Sequence, residues 1–460
     1  MGTFVLVLWS MITIPSYAIG SIAHWRYGVL LDAGSSSSKL KVYKWPQRSS
    51  TSEVLKLELI LNEKFRPSIS KYVENGQLDQ LPSYLAKMVN RAKTLVPSNL
   101  HKKSPIFLMA TAGLRVLSTQ HARSLMEAAR SFLANKSNNP FEYSPQGVRI
   151  ISGEEEGVYA WISTNYLMNY FGSNKAPSQA YGILEMGGGS TQIVFLPDGP
   201  LLANMFRVRI AGAIYSLYAH SYLFYGQDLM TLRINRYLYD QDQNVKEIVN
   251  PCMLIGDNST YTDEDTAVTV IVRGGGNPSL CLTLLEYFLQ SADKDMCYPK
   301  PCAIGQTYQP PVGTDIFYAI SAFYYAPNAL KVLGNSKRLR IEYLNETAHT
   351  YCRKNLSQAV IDNDVSPQYA SGYCMMGLYI PTLITSAYGF PKNTTKIYIA
   401  DKIGNQAVDW AMGAMLYEIE SIDNSVFINT CPEVSRSSEH RSRTVIVIIS
   451  IFITNILVTR

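Results

Sequence analysis

An internal repeat constrains the fold of this 460-residue chain more than any other feature of the sequence. The segment Asp32–Val42 (DAGSSSSKLKV) aligns with Glu185–Phe195 (EMGGGSTQIVF) at an offset of 153 residues. Each copy contains an acid, a turn of glycine and hydroxyl residues and an apolar pair, and each lies between two apolar segments. This pattern predicts a strand, a tight turn and a second strand, occurring twice. A repeat of this length indicates two related domains rather than a solenoid.

The composition of the two turns is suited to binding phosphate. Glycine and small hydroxyl residues let backbone N–H groups approach a ligand closely, and successive amides and hydroxyls form a concave anion site. The acids that begin the two copies, Asp32 and Glu185, can hold the water shell of Mg²⁺ or Ca²⁺. Two ordinary Gly/Ser hairpins are the alternative, but the matched acids favour turns that hold a phosphate chain from both sides.

Three further segments carry groups of related chemistry. Ile106–Arg115 is an apolar strand candidate followed by Thr111, and Ile150–Trp161 reads as a strand, an acidic turn and the start of a helix. Glutamates in the first turn of a helix also compensate its dipole, so the acidic turn alone does not indicate catalysis. Near the end of the chain, Trp410 lies in a helical pattern, where a single tryptophan is more often part of a core.

Taken in order, these segments resemble the five apyrase regions of the ecto-nucleoside triphosphate diphosphohydrolases, the CD39-like family, over about residues 28–420. The matching segments are DAGSSSSKLKVYKW, ATAGLR, SGEEEGVYAWISTNYL, EMGGGSTQIVF, and YCMMGLYIPTLITSAYGF continuing to DWAMG. The resemblance implies an α/β fold with two RNase-H-like lobes of the actin/Hsp70/sugar-kinase superfamily and a nucleotide between them. It implies an N-terminal lobe over residues 28–160 and a C-terminal lobe over residues 161–430. By the same resemblance, the second lobe is expected to carry disulfide-bearing insertions, and its end is expected to pack back on the first lobe.

The resemblance also assigns catalytic roles. Glu156, the second glutamate of the pattern G-x-E-E-G, matches the general base of the family. Ser190 and Gln192 match the residues that position the attacking water, and Thr111 matches a hydroxyl near the terminal phosphate. The implied reaction is hydrolysis of the terminal phosphate of nucleoside tri- or diphosphates by direct attack of water, with Ca²⁺ or Mg²⁺ as cofactor.

Binding roles follow from the same resemblance. Asp32 and Glu185 match two acids that hold metal-bound waters, and Trp410 with Tyr324 or Tyr325 matches an aromatic clamp on the base. The matches to the two phosphate turns are Ser35, Ser36, Ser38, Gly187, Gly188 and Gly189.

One position departs from the family pattern, because the fourth region normally begins with aspartate and this chain has Glu185. The extra methylene moves the carboxylate by about 1.5 Å, a shift that a water between acid and metal could absorb. A catalytically impaired nucleotide-binding surface protein is therefore one alternative. An exopolyphosphatase-like enzyme is another, since that family shares the acid-led GS turn, the GEEE turn and the GGGST turn. Trp410, the segment FYAISAFYY and the secretory features favour nucleotides.

Composition and chain ends bear on the location of the protein. The net charge of +5 is mild, and no basic run is interleaved with aromatic residues, so nucleic acid is not a predicted partner. Residues 1–23 are uncharged and predict a signal peptide or anchor. Residues 444–459 predict a transmembrane helix, with a removable lipid-anchor signal as the alternative. With five N-glycosylation sequons, these features predict a membrane protein whose catalytic domain is extracellular or in the Golgi and secretory lumen.

All seven cysteines follow residue 250 and none forms a CxxC zinc pattern, which favours disulfides in an oxidising compartment. The first four can pair in three ways, and their spacing does not choose. Cys352 and Cys374 are expected to pair, as cysteines at the matching place do in the family. Cys431 remains, either buried or paired with another subunit. A homo-oligomer is thus an expectation, since related surface enzymes associate through their membrane helices.

Overall fold

Strands and helices alternate along the chain in an α/β fold. The computed structural model describes residues 24–173, 175–290, 296–313 and 315–430. The strands are β1 (Trp25–Ala33), β2 (Ser38–Pro46), β3 (Glu58–Phe65), β4 (Pro105–Ala110), β5 (Glu142–Ile150), β6 (Gly182–Met186), β7 (Ser190–Phe195), β8 (Met205–Ile210), β9 (Ala213–Leu223), β10 (Glu247–Asn250), β11 (Asn258–Thr262), β12 (Thr269–Gly274), β13 (Phe317–Ser321), β14 (Ile397–Ala400), β15 (Lys402–Ile403) and β16 (Gln406–Ala407). The helices are α1 (Ser70–Glu74), α2 (Leu81–Lys93), α3 (Ala112–Arg115), α4 (Thr119–Ala134), α5 (Gly153–Leu167), α6 (Gln227–Gln241), α7 (Pro278–Leu289), α8 (Ala322–Ala329), α9 (Ile341–Cys352), α10 (Leu356–Asn363), α11 (Pro367–Thr382) and α12 (Trp410–Thr430).

Two mixed sheets share one strand arrangement. The first has the order β3-β2-β1-β4-β5, with antiparallel pairing from β3 to β1 and parallel pairing from β1 to β5. The second has the order β8-β9-β7-β6-β13-β14, with antiparallel pairing from β8 to β6 and parallel pairing from β6 to β14. Strands β1 and β6, in which the two acids of the repeat are the last residue but one, therefore occupy equivalent places.

The two repeat hairpins agree in atomic detail. In the first turn the amide of Gly34 donates to the carbonyl of Ser37 at 3.1 Å. In the second, the amide of Gly187 donates to the carbonyl of Ser190 at 2.9 Å, and each of these residues lies 153 positions after its counterpart. Strands β1 and β2 pair in the same register as β6 and β7. The sequence repeat is thus also a structural repeat.

A shared apolar core joins the two sheets. Helix α5 packs against β6, β7 and β9, and the residues buried with it include Leu30 and Trp45 of the first sheet and Met415 of α12. Met415 lies so close to β1 that a Cβ at Gly28 would be 2.8 Å from its sulfur. The domain boundary predicted after residue 160 falls inside α5, whose N-terminus carries the acidic turn.

Three disulfides stabilise the later part of the chain. The pairing predicted for Cys352 and Cys374 is confirmed, and it joins the end of α9 to α11. The four earlier cysteines, for which three pairings were open, form Cys252–Cys281 and Cys297–Cys302. Cys431 lies outside the described residues.

The predicted terminal segments, residues 1–23 and 444–459, also lie outside the described residues. Among the helices of the described ranges, none is long and apolar enough to cross a membrane. The chain divides after Glu420 into a large unit and a second unit, Ser421–Arg460, in which only the end of α12 is described.

Candidate active site

The two repeat turns face each other across a cleft of about 390 Å³. A Cβ added to Gly188 of the second turn would lie 2.9 Å from the Oγ of Ser35 in the first. A Cβ on Gly113, at the start of α3, would lie 2.6 Å from the Cα of Ser35. A side chain at Gly113 or Gly188 would collide with Ser35. Glycine at these two positions therefore lets α3 and the second turn approach the first turn closely. Both turns can therefore reach the same ligand.

Most of the residues that the sequence singles out meet in this cleft. Those that line it are Asp32, Ser35, Ser36, Thr111, Glu156, Glu185, Gly187, Gly188, Gly189, Ser190, Tyr324, Tyr325 and Trp410. Gln192 is fully buried directly behind them, where its side chain contacts Ser190.

Ser38, which the resemblance assigns to the first phosphate turn, does not line the cleft. Ser38 begins β2 and is buried on the face that also carries Leu40 and Val42, since side chains alternate along a strand. The neighbouring Ser37, to which the resemblance assigns no role, lines the cleft instead. A run of four serines gives no signal of where the turn ends and the strand begins.

The acidic turn separates two adjacent glutamates into different environments. Ser152 caps α5 by accepting from the amide of Glu155 at 3.0 Å, and the Glu155 carboxylate accepts from the amide of Ser152 at 2.8 Å. This capping box, together with Arg149 at 3.0 Å, occupies Glu155. Glu156, the next residue, is 5% exposed and lines the cleft.

A hydrogen-bonded chain holds Glu156 against the second turn. The guanidinium of Arg115, at the end of α3, donates to Oε2 of Glu156. The side-chain amide of Gln192 lies 3.5 Å from the same oxygen and donates to Ser190 Oγ at 2.8 Å and to Ser221 Oγ at 3.0 Å. Arg115 and Ser221 have no predicted role. Arg115 lies within the ATAGLR segment, but nothing in the sequence connects it to Glu156.

Three buried carboxyl groups share the cleft floor. Burial raises the pKa of Asp32, and it raises that of Glu156 to about 7 against the opposing effect of Arg115. Burial, with Glu156 nearby, raises the pKa of Glu185 to about 8. One carboxylate oxygen of Glu185 is buried and has no hydrogen-bond partner in the described part of the chain. Crowded, poorly solvated acids of this kind favour positive charge between them.

The aromatic residues border the cleft near the start of α8 and α12. Trp410 begins α12 and is 6% exposed. The Tyr324 hydroxyl bonds to Asn328 at 3.2 Å, and Lys337 lies 5.1 Å from the Tyr324 ring. Tyr325 is 54% exposed and touches Tyr324 edge-on. The two tyrosines therefore differ in how much ring surface they offer to a ligand.

Basic residues on the β2–β3 hairpin line another wall, and no sequence motif predicts them. Lys39 lies 3.9 Å from Asp32, and Lys64 lines the same wall. Lys41 is buried and pairs with Asp409, whose carboxylate also lines the cleft. Lys39 and Lys41 belong to the repeat segment itself. The alternation of lysines with apolar residues along β2 is the sequence signal that could have indicated them.

The comparisons with known proteins agree with this geometry. The model of the GDA1/CD39 (nucleoside phosphatase) family matches residues 21–431. The chain belongs to this family. It is therefore an enzyme of the nucleoside phosphatase class, as the resemblance implied.

Individual relatives cover most of the chain. Mouse ectonucleoside triphosphate diphosphohydrolase 1 is 30% identical over 419 residues, covering 85% of this chain and 80% of its own length. Rat ectonucleoside triphosphate diphosphohydrolase 8 is 31% identical over 416 residues, covering 85% and 82%. Among solved structures, nucleoside triphosphate hydrolases from Neospora caninum superpose with a TM-score of 0.62 at 15% identity, covering 87% of this chain and 93% of theirs. That structural likeness shows the α/β fold.

Proposed function

We propose that this protein hydrolyses the terminal phosphates of nucleoside tri- and diphosphates in the cleft between the two repeat turns. The observation that carries the proposal is the pair of equivalent turns, facing each other, with the buried carboxyl of Glu156 beside them. Relatives at about 30% identity are named ectonucleoside triphosphate diphosphohydrolases. Family, turn chemistry and a buried acid all favour phosphate hydrolysis over a binding protein without activity.

Glu156 is the residue best placed to act as general base. It lines the cleft, has a raised pKa and is held by Arg115 and Gln192. A water molecule held by Ser190 and Gln192 would lose its proton to Glu156 as it attacks the terminal phosphorus. The amides and hydroxyls of both turns, with the Thr111 hydroxyl, would stabilise the charge on the phosphoryl oxygens.

The acids fit a hard divalent cation. Asp32 and Glu185 are both 4% exposed and line the cleft, and the unpartnered Glu185 oxygen leaves one acceptor free for a metal-bound water. The described residues contain no cluster of three or more His, Cys, Asp or Glu side chains that could hold a metal ion. We therefore expect Asp32 and Glu185 to hold Ca²⁺ or Mg²⁺ through water, with substrate phosphates as the remaining ligands. The cation would neutralise charge on the phosphate oxygens.

The base of the nucleotide is assigned to the aromatic border. Tyr325 offers an exposed ring, whereas the hydroxyl and ring of Tyr324 already have partners. We assign Tyr325 and Trp410 as the two sides of the base clamp. Stacking of this kind tolerates different bases, because every base has a π-face.

We extend the proposal to the architecture of the chain and to its location. The shared strand order of the two sheets supports two RNase-H-like lobes, a duplication of the actin/Hsp70/sugar-kinase type. The disulfides and the names of the relatives support a catalytic domain outside the cell or in the secretory lumen, anchored through the predicted C-terminal helix.

Phosphate release by the purified full-length protein tests the proposal. The panel contains ATP, ADP, UDP, GDP and inorganic polyphosphate, each with Mg²⁺, with Ca²⁺ and with excess EDTA. We expect release from nucleotides that depends on the divalent cation. Release from polyphosphate but from no nucleotide would replace this proposal by an exopolyphosphatase. Nucleotide binding without any phosphate release would indicate the impaired binding protein.

A further inference from the structure

A second cavity, which is a wide surface depression of about 510 Å³ open to solvent, adjoins the active site across helix α3. Ala112, at the start of this helix, lines the nucleotide cleft, whereas Leu114 and Arg115, at its end, line the second cavity. Arg115 is the residue that donates to Glu156. One guanidinium therefore contacts the proposed general base and also borders a separate space. We call this space the arginine cavity.

The arginine cavity has a strongly positive lining. Arg115, Arg123, Arg130 and Arg149 all contribute to it, and no acidic residue does so among the described residues. Carboxylates outside the lining offset two of these charges, because Arg115 pairs with Glu156, and Arg149 pairs with Glu155 at 3.0 Å and with Glu418 at 2.9 Å. The lining comes from α3, α4 and β5, so it is assembled by the fold of the first sheet rather than by one charged segment.

The hydrogen-bond donors of this cluster are incompletely used. Nε of Arg115 and Nη1 of Arg149 are buried and have no acceptor in the described structure. Arg130 donates through Nε to the carbonyl of Val148 at 3.0 Å. Arg123 is exposed and forms no ion pair within the described ranges. The two buried nitrogens of Arg115 and Arg149 are closed off from solvent, so Arg123 and Arg130, which form no ion pair within the described ranges, are the groups of the lining with charge left for a tetrahedral oxyanion.

We propose that the arginine cavity binds orthophosphate and that the bound anion slows catalysis by drawing Arg115 away from Glu156. The kinetic part of this proposal rests on the proposed function, whereas the binding part does not. An anion in the cavity competes with the Glu156 carboxylate for the same guanidinium. Because the nucleotide cleft stays open, this effect lowers kcat rather than raising KM. Orthophosphate that occupies the cleft itself would raise KM instead.

The binding part is tested by titrating inorganic phosphate into the full-length protein in a calorimeter, with β,γ-methylene-ATP and Mg²⁺ filling the cleft. The test variants are Arg123→Glu and the milder Arg123→Ala, since Arg123 has no place in the catalytic machinery. The matched control is Arg207→Glu, an exposed arginine on β8 of the other sheet. We expect one phosphate site in the wild type and in Arg207→Glu, a weaker site in Arg123→Ala, and at least tenfold weaker binding in Arg123→Glu. The absence of phosphate binding in the wild type, or equal binding by Arg123→Glu, would overturn the proposal.

The kinetic part is tested by nucleotide hydrolysis at increasing phosphate concentration. We expect phosphate to lower kcat in the wild type and in Arg207→Glu, and to affect only KM in Arg123→Glu. A wild-type effect on KM alone would overturn the coupling through Arg115. If the protein hydrolyses no nucleotide at all, the proposed function fails, and the titration without nucleotide still decides whether the arginine cavity binds phosphate.

Discussion

Glu155 and Glu156 are adjacent in sequence but serve different purposes, because a helix start separates them. The carboxylate of Glu155 completes the capping box of α5, and that of Glu156 enters the cleft. The pattern of three glutamates after a glycine is compatible with either residue as base, and only the family resemblance chooses Glu156. In the structure the capping box uses the carboxylate of Glu155, which favours Glu156 as the proposed base.

Arg115 is expected to set the pH range in which Glu156 works. Its charge and its hydrogen bond both lower the pKa of Glu156, which burial raises to about 7. Glu156 must be ionised to accept a proton, so activity is lost as pH falls through this pKa. In Arg115→Gln the lowering effect is gone, the pKa rises further, and the acid limb of kcat/KM moves to higher pH. The measurement is the pH profile of kcat/KM, and an unmoved acid limb would remove Arg115 from this role.

Glu185 is the residue where this chain departs from the family pattern. Glu185→Ala removes one of the two acids assigned to the water shell of the cation, so we expect a higher metal concentration for half-maximal activity, as for Asp32→Ala. Glu185→Asp restores the usual residue and should retain or raise activity. Both expectations are checked by measuring phosphate release by each variant at increasing concentrations of the divalent cation. An inactive Glu185→Asp enzyme would mean that the cleft is built around the longer side chain.

At the scale of elements, the approach of α3 to the first repeat turn controls the site. Gly113 lies against the backbone of Ser35, so a methyl group there must displace the turn. We expect Gly113→Ala to lower kcat/KM by about 10- to 100-fold, since misplacement of about 1 Å has effects of this size. Gly199→Ala is the control, because this exposed glycine does not line the cleft and its Cβ would meet no atom within 4 Å. Equal kinetics for the two variants would contradict the turn contact.

The disulfides provide a second prediction at this scale. Cys352 and Cys374 are fully buried and 22 residues apart, whereas Cys297 and Cys302 are 5 residues apart. The chain-entropy model gives about 3 kcal/mol for the longer loop and about 2 kcal/mol for the shorter one. Replacing both cysteines of a pair by serine should therefore lower Tm more for Cys352 and Cys374. A larger decrease for the Cys297 and Cys302 variant would show that loop length is not the deciding factor.

Much of this element arrangement could be predicted from the sequence, because the repeat fixes both turns and the strands beside them. The sequence could not place Ser38, since four successive serines hide the point where β2 begins. It could not reveal Arg115, because the contact with Glu156 joins residues 41 positions apart from two different helices. Nor could it choose among the pairings of the first four cysteines, which depend on how the insertions of the second half pack.

At the scale of the whole molecule, the two sheets matter because they bring their turns together. Helices α5 and α12 share one core with both sheets, so common packing positions the acidic turn, the two repeat turns and Trp410. The sequence predicts two halves from the repeat, but the helix that carries Glu156 extends across the predicted boundary and packs on the second sheet. The proposed general base therefore belongs structurally to the half whose turn it faces.

The most direct test of this account compares Glu156→Gln with Glu155→Gln. Loss of a general base typically costs about 10²–10⁴-fold, so we expect kcat of Glu156→Gln to fall by that factor while nucleotide binding, measured by calorimetry, is retained. Glutamine can also complete a capping box, so Glu155→Gln should keep most of its activity. An active Glu156→Gln enzyme together with an inactive Glu155→Gln enzyme would contradict the assignment of the base.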